Sequence, residues 1–416
     1  MQKKVIALAV AGLVSGAAFA QTSVTLSGTV DLGYNFGEEK WDQGGVTQSH
    51  KYRNFRGGDG RGMSSSRLNI DVKEQLGSGL KAGYFHEIGL RHFAGDHNYD
   101  LMANDGVNGS LAAFNRSRQS FAYLESASAG RFQIGLSNLI TDYETLFANV
   151  GSRNFVGNAY NAQFFGLSSF SIENGEFKTP IRQVARVNAM DLARANAISY
   201  YSPVFSGFQV MGQFGYGKSK VDNVDGVITD TVAGTTLNVL SDNETEYKIY
   251  NVGLKYANGP LTAYIGGQKY ETEGSATLTQ VGTGLSASAS GEEDRREFIA
   301  AAAYDFGVAK LAGMYFDRKA DINGSNDHKY RGGDIGVSVP LGQAELFANY
   351  GMGKNKFEGD GGPSWKIRTY QLGARYNLSK RTNVYALYGY GKAKEDREGS
   401  GTGKSSVASV GLRHSF

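Results

Sequence analysis

The chain of 416 residues contains no cysteine. That excludes a disulfide framework and any thiolate-bound zinc or iron–sulfur centre. It has only 5 prolines, where average usage of about 5% would give roughly four times as many. A disordered, linker-rich chain is therefore not expected. Neither charge sign dominates: Lys plus Arg is 43, Asp plus Glu is 40, and the formal net charge is +3. The strongly basic footprint of a nucleic-acid binder is missing. After the N-terminal stretch no long uncharged apolar run occurs, so no later segment reads as a transmembrane helix. What is abundant is glycine, with 57 residues, together with 24 tyrosines and 23 phenylalanines. High glycine and tyrosine with little proline suits many long, paired strands.

Residues 1–20 have the order of a secretory leader. Lys3 and Lys4 are the basic region, Val5–Val14 is apolar and broken only by Gly12, and Ala18-Phe19-Ala20 is a small-x-small site that places cleavage between Ala20 and Gln21. The apolar stretch is shorter than the ~20 residues a spanning helix needs. Residues 21–416 remain as one domain that leaves the cytoplasm. Such a domain is soluble, or it is a closed barrel that crosses lipid with every backbone group paired between strands.

Period-2 patterning recurs to the last residue. Val24, Leu26, Val30, Leu32 and Tyr34 alternate with Thr25, Ser27, Thr29 and Asp31. Leu68, Ile70 and Val72 alternate with Arg67, Asn69, Asp71 and Lys73. Phe132, Ile134 and Leu136 alternate with Arg131 and Gln133. Tyr250, Val252, Leu254 and Tyr256 alternate with Asn251 and Lys255, and Tyr370, Leu372, Ala374 and Tyr376 with Thr369, Gln371 and Arg375. Val410, Leu412 and Phe416 end the series.

The connections alternate as well. Short joins lie near Gly77–Gly79, Ala127–Gly130, Pro203–Gly207, Ala257–Pro260, Asp305–Val308, Leu341–Gln343 and Leu378–Lys380. Long polar joins lie near 35–63, 91–117, 139–193, 218–244, 272–293, 318–328, 354–364 and 394–404. Together they predict sixteen strands with both termini at the short-turn end, the layout of an outer-membrane barrel with short periplasmic turns and longer external loops. A soluble β-sandwich also alternates. It requires neither the strict short–long alternation nor aromatics recurring near strand ends, such as Tyr84, Tyr200, Tyr304 and Tyr390, which suit interfacial girdles.

Several segments carry a family resemblance. "SVTLSGTVDLGY" (Ser23–Tyr34), "SSRLNIDVKEQLGSGLKAGYFHE" (Ser65–Glu87), "SPVFSGFQVMGQFGYG" (Ser202–Gly217), "YQLGARYNLSKRTNVYALYGY" (Tyr370–Tyr390) and "VGLRHSF" (Val410–Phe416) resemble the general-diffusion porins of Gram-negative outer membranes, particularly those of β-proteobacteria. The resemblance implies a sixteen-stranded barrel, usually a homotrimer, with the third external loop folded into the lumen. It also implies that Phe416 is the signal by which the barrel-assembly machinery recognises the chain. The external loops depart from the family. The 139–193 join is long for a constriction loop, and the low-complexity tract Gly274–Gly291 is expected to be a mobile loop.

A channel is selective through its diameter, its lining groups and their field. Strand parity sends Asp71, Lys81, Glu87, Arg131, Lys255, Arg295, Lys310, Arg375 and Arg413 to the lumen. A cation facing lipid at the midplane costs roughly 2–4 kcal/mol, which a wet lumen spares it. By resemblance, Arg67 in "SRLNI", Arg118 in "RQSFAYL" and Arg194 in "ARANAISYYSP" match basic residues of the pore constriction. Asp142 and Glu144 in "NLITDYETLFANVG" are the candidate carboxylates facing them. Arginines of the third-loop region, among them Arg153, Arg182 and Arg186, tilt the expected ion preference slightly toward anions. Trimer contacts are expected from outward apolar residues of the first and last strands, including Val30, Leu32 and Val410.

Other features are weaker. Arg53, Arg56 and Arg61 give the first external segment a basic character, and contact with lipopolysaccharide phosphate competes there with a simply solvated loop. No cofactor is expected. Asp222, Asp225, Asp230, Asp242, Glu292, Glu293 and Asp294 offer oxygen ligands for Ca²⁺, but without any fixed spacing. His86-Glu87 opens like a metalloprotease motif and lacks its second histidine. A barrel hydrolase needs a Ser/His or Asp/His pair, and nothing in the sequence singles one out. A substrate-selective channel for sugars or dicarboxylates is the main alternative function; Tyr264 and Tyr385 face inward by parity and offer rings for sugars. A surface-antigen role for the loops is compatible with a pore.

Overall fold

The computed structural model describes residues 22–57, 66–90, 114–141, 194–230, 235–280, 286–322, 327–358, 364–396 and 401–416. These are all-β: among the described residues there is no helix. The strands are β1 (Ser23–Gln43), β2 (Val46–Gly57), β3 (Arg67–Gly77), β4 (Leu80–Leu90), β5 (Phe114–Ser126), β6 (Gly130–Asn138), β7 (Arg194–Tyr201), β8 (Phe208–Asp230) and β9 (Thr235–Asn258). They continue as β10 (Leu261–Gln280), β11 (Ser286–Asp305), β12 (Lys310–Ile322), β13 (Asp327–Leu341), β14 (Ala344–Glu358), β15 (Ser364–Asn377), β16 (Thr382–Glu395) and β17 (Thr402–Ser415).

Seventeen segments make sixteen barrel staves, because β2 and β3 share one place. β2 pairs with the outer part of β1 (Leu32↔Gly57 to Gln43↔Val46), and β3 pairs with its inner part (Ser23↔Lys73 to Thr29↔Arg67). From β3 onward each strand pairs antiparallel with the next. β17 closes the ring on β1, from Thr29↔Ser415 to Asp42↔Thr402. The last residue completes that seam: Gly28 N–H donates to Phe416 O at 3.0 Å, and Phe416 N–H donates to Gly28 O at 3.1 Å. Closure removes the unpaired edges that an open sheet would expose.

The polarity is inverted relative to a soluble domain. Outward side chains such as Val24, Leu26, Val210, Val252 and Leu372 are exposed, whereas inward Asp31, Asn35, Gln133, Gln213, Asn251 and Gln371 are buried. Outward rings sit near both strand ends, as in the row Tyr350, Tyr370 and Tyr390, and the pair Phe208 and Tyr256. This is an apolar band between aromatic girdles around an interior that mixes polar groups with buried apolar side chains such as Ile299, Met314, Phe316 and Phe347.

All seven short joins are turns between consecutive strands. Several need a left-handed backbone, for example Gly77–Ser78–Gly79 and Ser206–Gly207. The long joins are a correction. Much of 35–63, 218–244 and 272–293 is strand: β1 and β2 meet at Gly44–Gly45, β8 runs to Asp230, and β10 and β11 extend through most of the low-complexity tract. Serine, threonine, glycine and alanine pair there as Gly274↔Gly291 to Thr279↔Ser286, so the expected mobile loop is instead a continued ladder. The 24 residues of β9 far exceed the ~10 that a tilted strand needs to cross a bilayer, so these hairpins project beyond it.

Candidate functional site

Starting from Asp31, the register can be followed around the ring. Asp31 faces Arg413, Arg375 faces Glu345, Lys310 faces both Ser338 and Asp305, Arg295 faces Tyr270, Lys255 faces Tyr264, Arg131 faces Glu125, and Lys81 faces Gln75. All these residues, with Asp71 and Glu87, share the inward face. Arg194 opens β7 opposite Asn138, one residue out of phase with inward Ala195, Ala197 and Ser199. Asp142 and Glu144 lie outside the described residues, as do the leader with Ala20 and Gln21, and Arg153, Arg182 and Arg186.

Arg67, Glu87 and Arg118 come together. Arg118 Nε donates to Glu87 Oε1 at 2.5 Å, and Arg67 Nε lies 3.7 Å from Glu87 Oε2. The cause is local. Ladder partners Glu87↔Gln119 and Ile88↔Ser117 skip Arg118, so the chain bulges there. A bulge re-aims the extra side chain, and this one brings Arg118 onto the carboxylate beside it. Arg118 is 1% exposed and Arg67 7%. Glu87 thus meets both guanidinium groups.

A second cluster lies nearer the short turns and includes Lys73 and Asp71, 2.7 Å apart. Glu125 has Lys81 and Arg131 at 4.0 Å each. Arg131 also stacks over Tyr123 at 3.9 Å to the ring centroid. Both clusters lie on β3–β6. Elsewhere on the inner wall Glu297 meets Arg318, Glu345 meets Arg375 and Glu293 meets Arg295.

Three amides, which charge-based reading passed over, form the middle of an inward row across five strands. Ser199, Gln213, Asn251, Gln268 and Glu297 are successive cross-strand partners on β7 to β11. Gln213 Nε2 donates to Ser199 Oγ at 3.0 Å, and Asn251 Nδ2 donates to Gln213 Oε1 at 2.9 Å. Each lies on the inward parity of its strand, which is the signal that would have found it.

This row receives the chain leaving β6. Leu139, Ile140 and Thr141 are fully buried. Thr141 Oγ1 donates to Gln268 Oε1 at 2.6 Å, and Tyr264 O–H donates to Ile140 O at 2.5 Å. β10 stands four staves from β6, so this segment turns into the barrel. Tyr385 is likewise committed, donating to Asp31 Oδ1 at 2.6 Å. Both tyrosines that offered a sugar track spend their hydroxyls on the protein itself.

On the outer face His86 Nε2 lies 2.9 Å from Ser117 Oγ, and its Nδ1 is beside the Tyr84 hydroxyl at 3.4 Å. The position a catalytic dyad needs for an orienting carboxylate is taken by a phenol. Among the described residues no group of three His, Asp or Glu forms a metal site.

The inverted barrel with a charged inner wall leads to comparison with known proteins. Residues 7–396 match the family described as Gram-negative porin. The chain belongs to that family. It is 30% identical over 392 residues to outer membrane porin protein 32 of Delftia acidovorans, covering 92% of this chain and 88% of that one. It is 28% identical to an outer membrane porin of Bordetella pertussis over the full length of both. Among solved structures, the anion-selective porin from Comamonas acidovorans superposes with TM-score 0.57 at 25% identity, covering 95% of this chain and all of that one. A trimer form of OmpT from Vibrio cholerae is similar in fold at 14% identity, with TM-score 0.53 and 95% and 99% coverage. This chain is thus an outer-membrane porin by family, and both of these curated relatives are named as outer membrane porins.

Proposed function

We propose that this porin forms a water-filled channel for passive diffusion of small hydrophilic solutes and ions, with a slight preference for anions. The observation that carries the preference is the make-up of the described inner wall on β3–β6, where the cations Arg67, Lys73, Lys81, Arg118 and Arg131 stand with the acids Asp71, Glu87 and Glu125. A wall with net positive charge raises the local anion concentration and lowers their entry barrier. A gap near the ~8 Å Debye length leaves that field only partly screened. The name of the solved Comamonas relative supports the same sign. The third external loop lines the constriction in this reading, supported by the inward turn at Leu139–Thr141. Export uses the leader 1–20, and three copies assemble through outward Val30, Leu32 and Val410.

The test is reversal potential across a salt gradient in planar bilayers. Arg67→Gln with Arg118→Gln moves selectivity toward cations. Glu87→Gln, which removes the carboxylate that both arginines meet, moves it further toward anions. Heat-dependent gel migration reports whether each variant is folded. Folded variants with unchanged reversal potentials would refute the assignment.

A further inference from the structure

The outer surface holds an arrangement that pore function does not use. On β13–β16 four cations are successive cross-strand partners: Arg331↔Lys354, Lys354↔Lys366 and Lys366↔Lys394. Two residues closer to the membrane, Arg368 faces Lys392. The second row continues onto β17 and β1, where Lys404 and Lys40 have acidic partners in Asp42 and Glu38. Like charges directly opposite on a sheet destabilise it. Two adjacent rows of them mark a surface that is complete only with anions against it.

The strands place these rows relative to lipid. Along β15 the outward residues read Leu372, Tyr370, Arg368, Lys366; along β16 they read Tyr388, Tyr390, Lys392, Lys394. Apolar residues are followed by a tyrosine at the interface and then by cations, the order of acyl chain, interface and charged headgroup. Arg331, Lys354, Lys366, Arg368 and Lys394 are all exposed. Neighbouring acids compensate only part of the charge: Asp396 is 2.9 Å from Lys366 and 4.0 Å from Lys354, and Asp317 is 2.6 Å from Arg331. The basic character is local, for the outward row Glu246, Glu273 and Glu292 on β9–β11 is acidic.

We infer that the outer face of β13–β16, just beyond its tyrosine girdle, binds the phosphates of a multiply phosphorylated lipid headgroup in the outer leaflet. Four strands at ~4.8 Å spacing give roughly 14 Å of continuous cation row, wide enough for more than one phosphate. A free anion would make no use of the adjoining Tyr370 and Leu372; an amphiphile would use both.

The test uses refolded full-length protein in phosphatidylcholine nanodiscs containing either diphosphorylated lipid A or the same glycolipid with its phosphates removed. Retained lipid is counted by native mass spectrometry over a concentration series. The unaltered protein retains the phosphorylated lipid in preference. Each near-surface cation contributes about fivefold in affinity, so Arg368→Gln with Lys392→Gln and Lys394→Gln weakens retention on the order of 100-fold. Replacing both lysines by arginine preserves it. Single-channel conductance of the triple variant stays unchanged, which shows that the barrel is folded. Equal retention by the triple variant would overturn the inference, as would equal retention of the dephosphorylated lipid. Competition by inorganic phosphate at matched phosphate concentration would show a free-anion site instead. A changed oligomeric state in the triple variant would show that this face contacts another copy.

Discussion

At the scale of single residues, the inner wall works by fitting rings over glycines. Gly253 and Gly266 face one another, and a Cβ on either would come within 2.7 Å of the Tyr264 hydroxyl. Tyr264 can therefore lie along the wall and reach Ile140. Tyr264→Phe leaves that buried carbonyl without its donor, at a cost of about 1–3 kcal/mol; the expected result is a lower midpoint in a heat-modifiability series, and an unchanged midpoint would show that the contact carries no weight. The sequence showed that Tyr264 faces inward but not what it touches, because its partner comes from a segment 124 residues away. Arg118 was legible only by resemblance, since the bulge that re-aims it breaks the two-residue period. Asp42 offers a pH test outside the membrane. The Thr47 hydroxyl bond and the Lys404 ammonium hold its carboxyl below the usual range. A depressed carboxyl pKa contributes stability above its unfolded value and loses it as pH falls through the folded value. Protease cutting at the β1–β2 hairpin is expected to stay constant from about pH 7 to pH 5 and to rise only below the ordinary carboxylate range near ~3.9. A rise already at pH 6 would contradict this.

At the scale of elements, the short turns were fully legible and the long connections were not. Glycine-bearing turns fix the backbone locally, so composition alone marks them. The outer hairpins have no regular alternation of hydrophobicity: residues 286–292 of β11 are exposed on both faces, and on β1–β2 the buried rings Trp41 and Tyr52 stand among polar neighbours, so period-2 reading fails there. Ladder pairing carries them instead, with Gly44 and Gly45 supplying the left-handed turn between β1 and β2. The closing seam is the most sensitive element. A Cβ at Gly28 would lie 2.5 Å from the Phe416 ring and 2.6 Å from Arg67 O. Gly28→Val is expected to lower the yield of heat-resistant barrel in outer membranes, and deletion of Phe416 to lower it further. Normal yields from both variants would show that the β1–β17 seam neither guides insertion nor limits stability.

At the scale of the whole molecule, the sixteen-stave count followed from short–long alternation even though several connections proved to be strand. The parity of the lumen set was equally legible, because one face of each stave must meet lipid and the energetic contrast there is large. Pairings among inward groups were not, since they depend on register between strands distant in sequence. A closed, wet barrel with an excess of cations on one wall makes one central claim: it conducts passively and favours anions. The most direct measurement is planar-bilayer recording of purified refolded protein, with reversal potential in a salt gradient. The account predicts stable open steps, linear current–voltage behaviour and a reversal potential of anionic sign. Absent conductance from correctly folded barrels, or a clearly cationic sign, would contradict it.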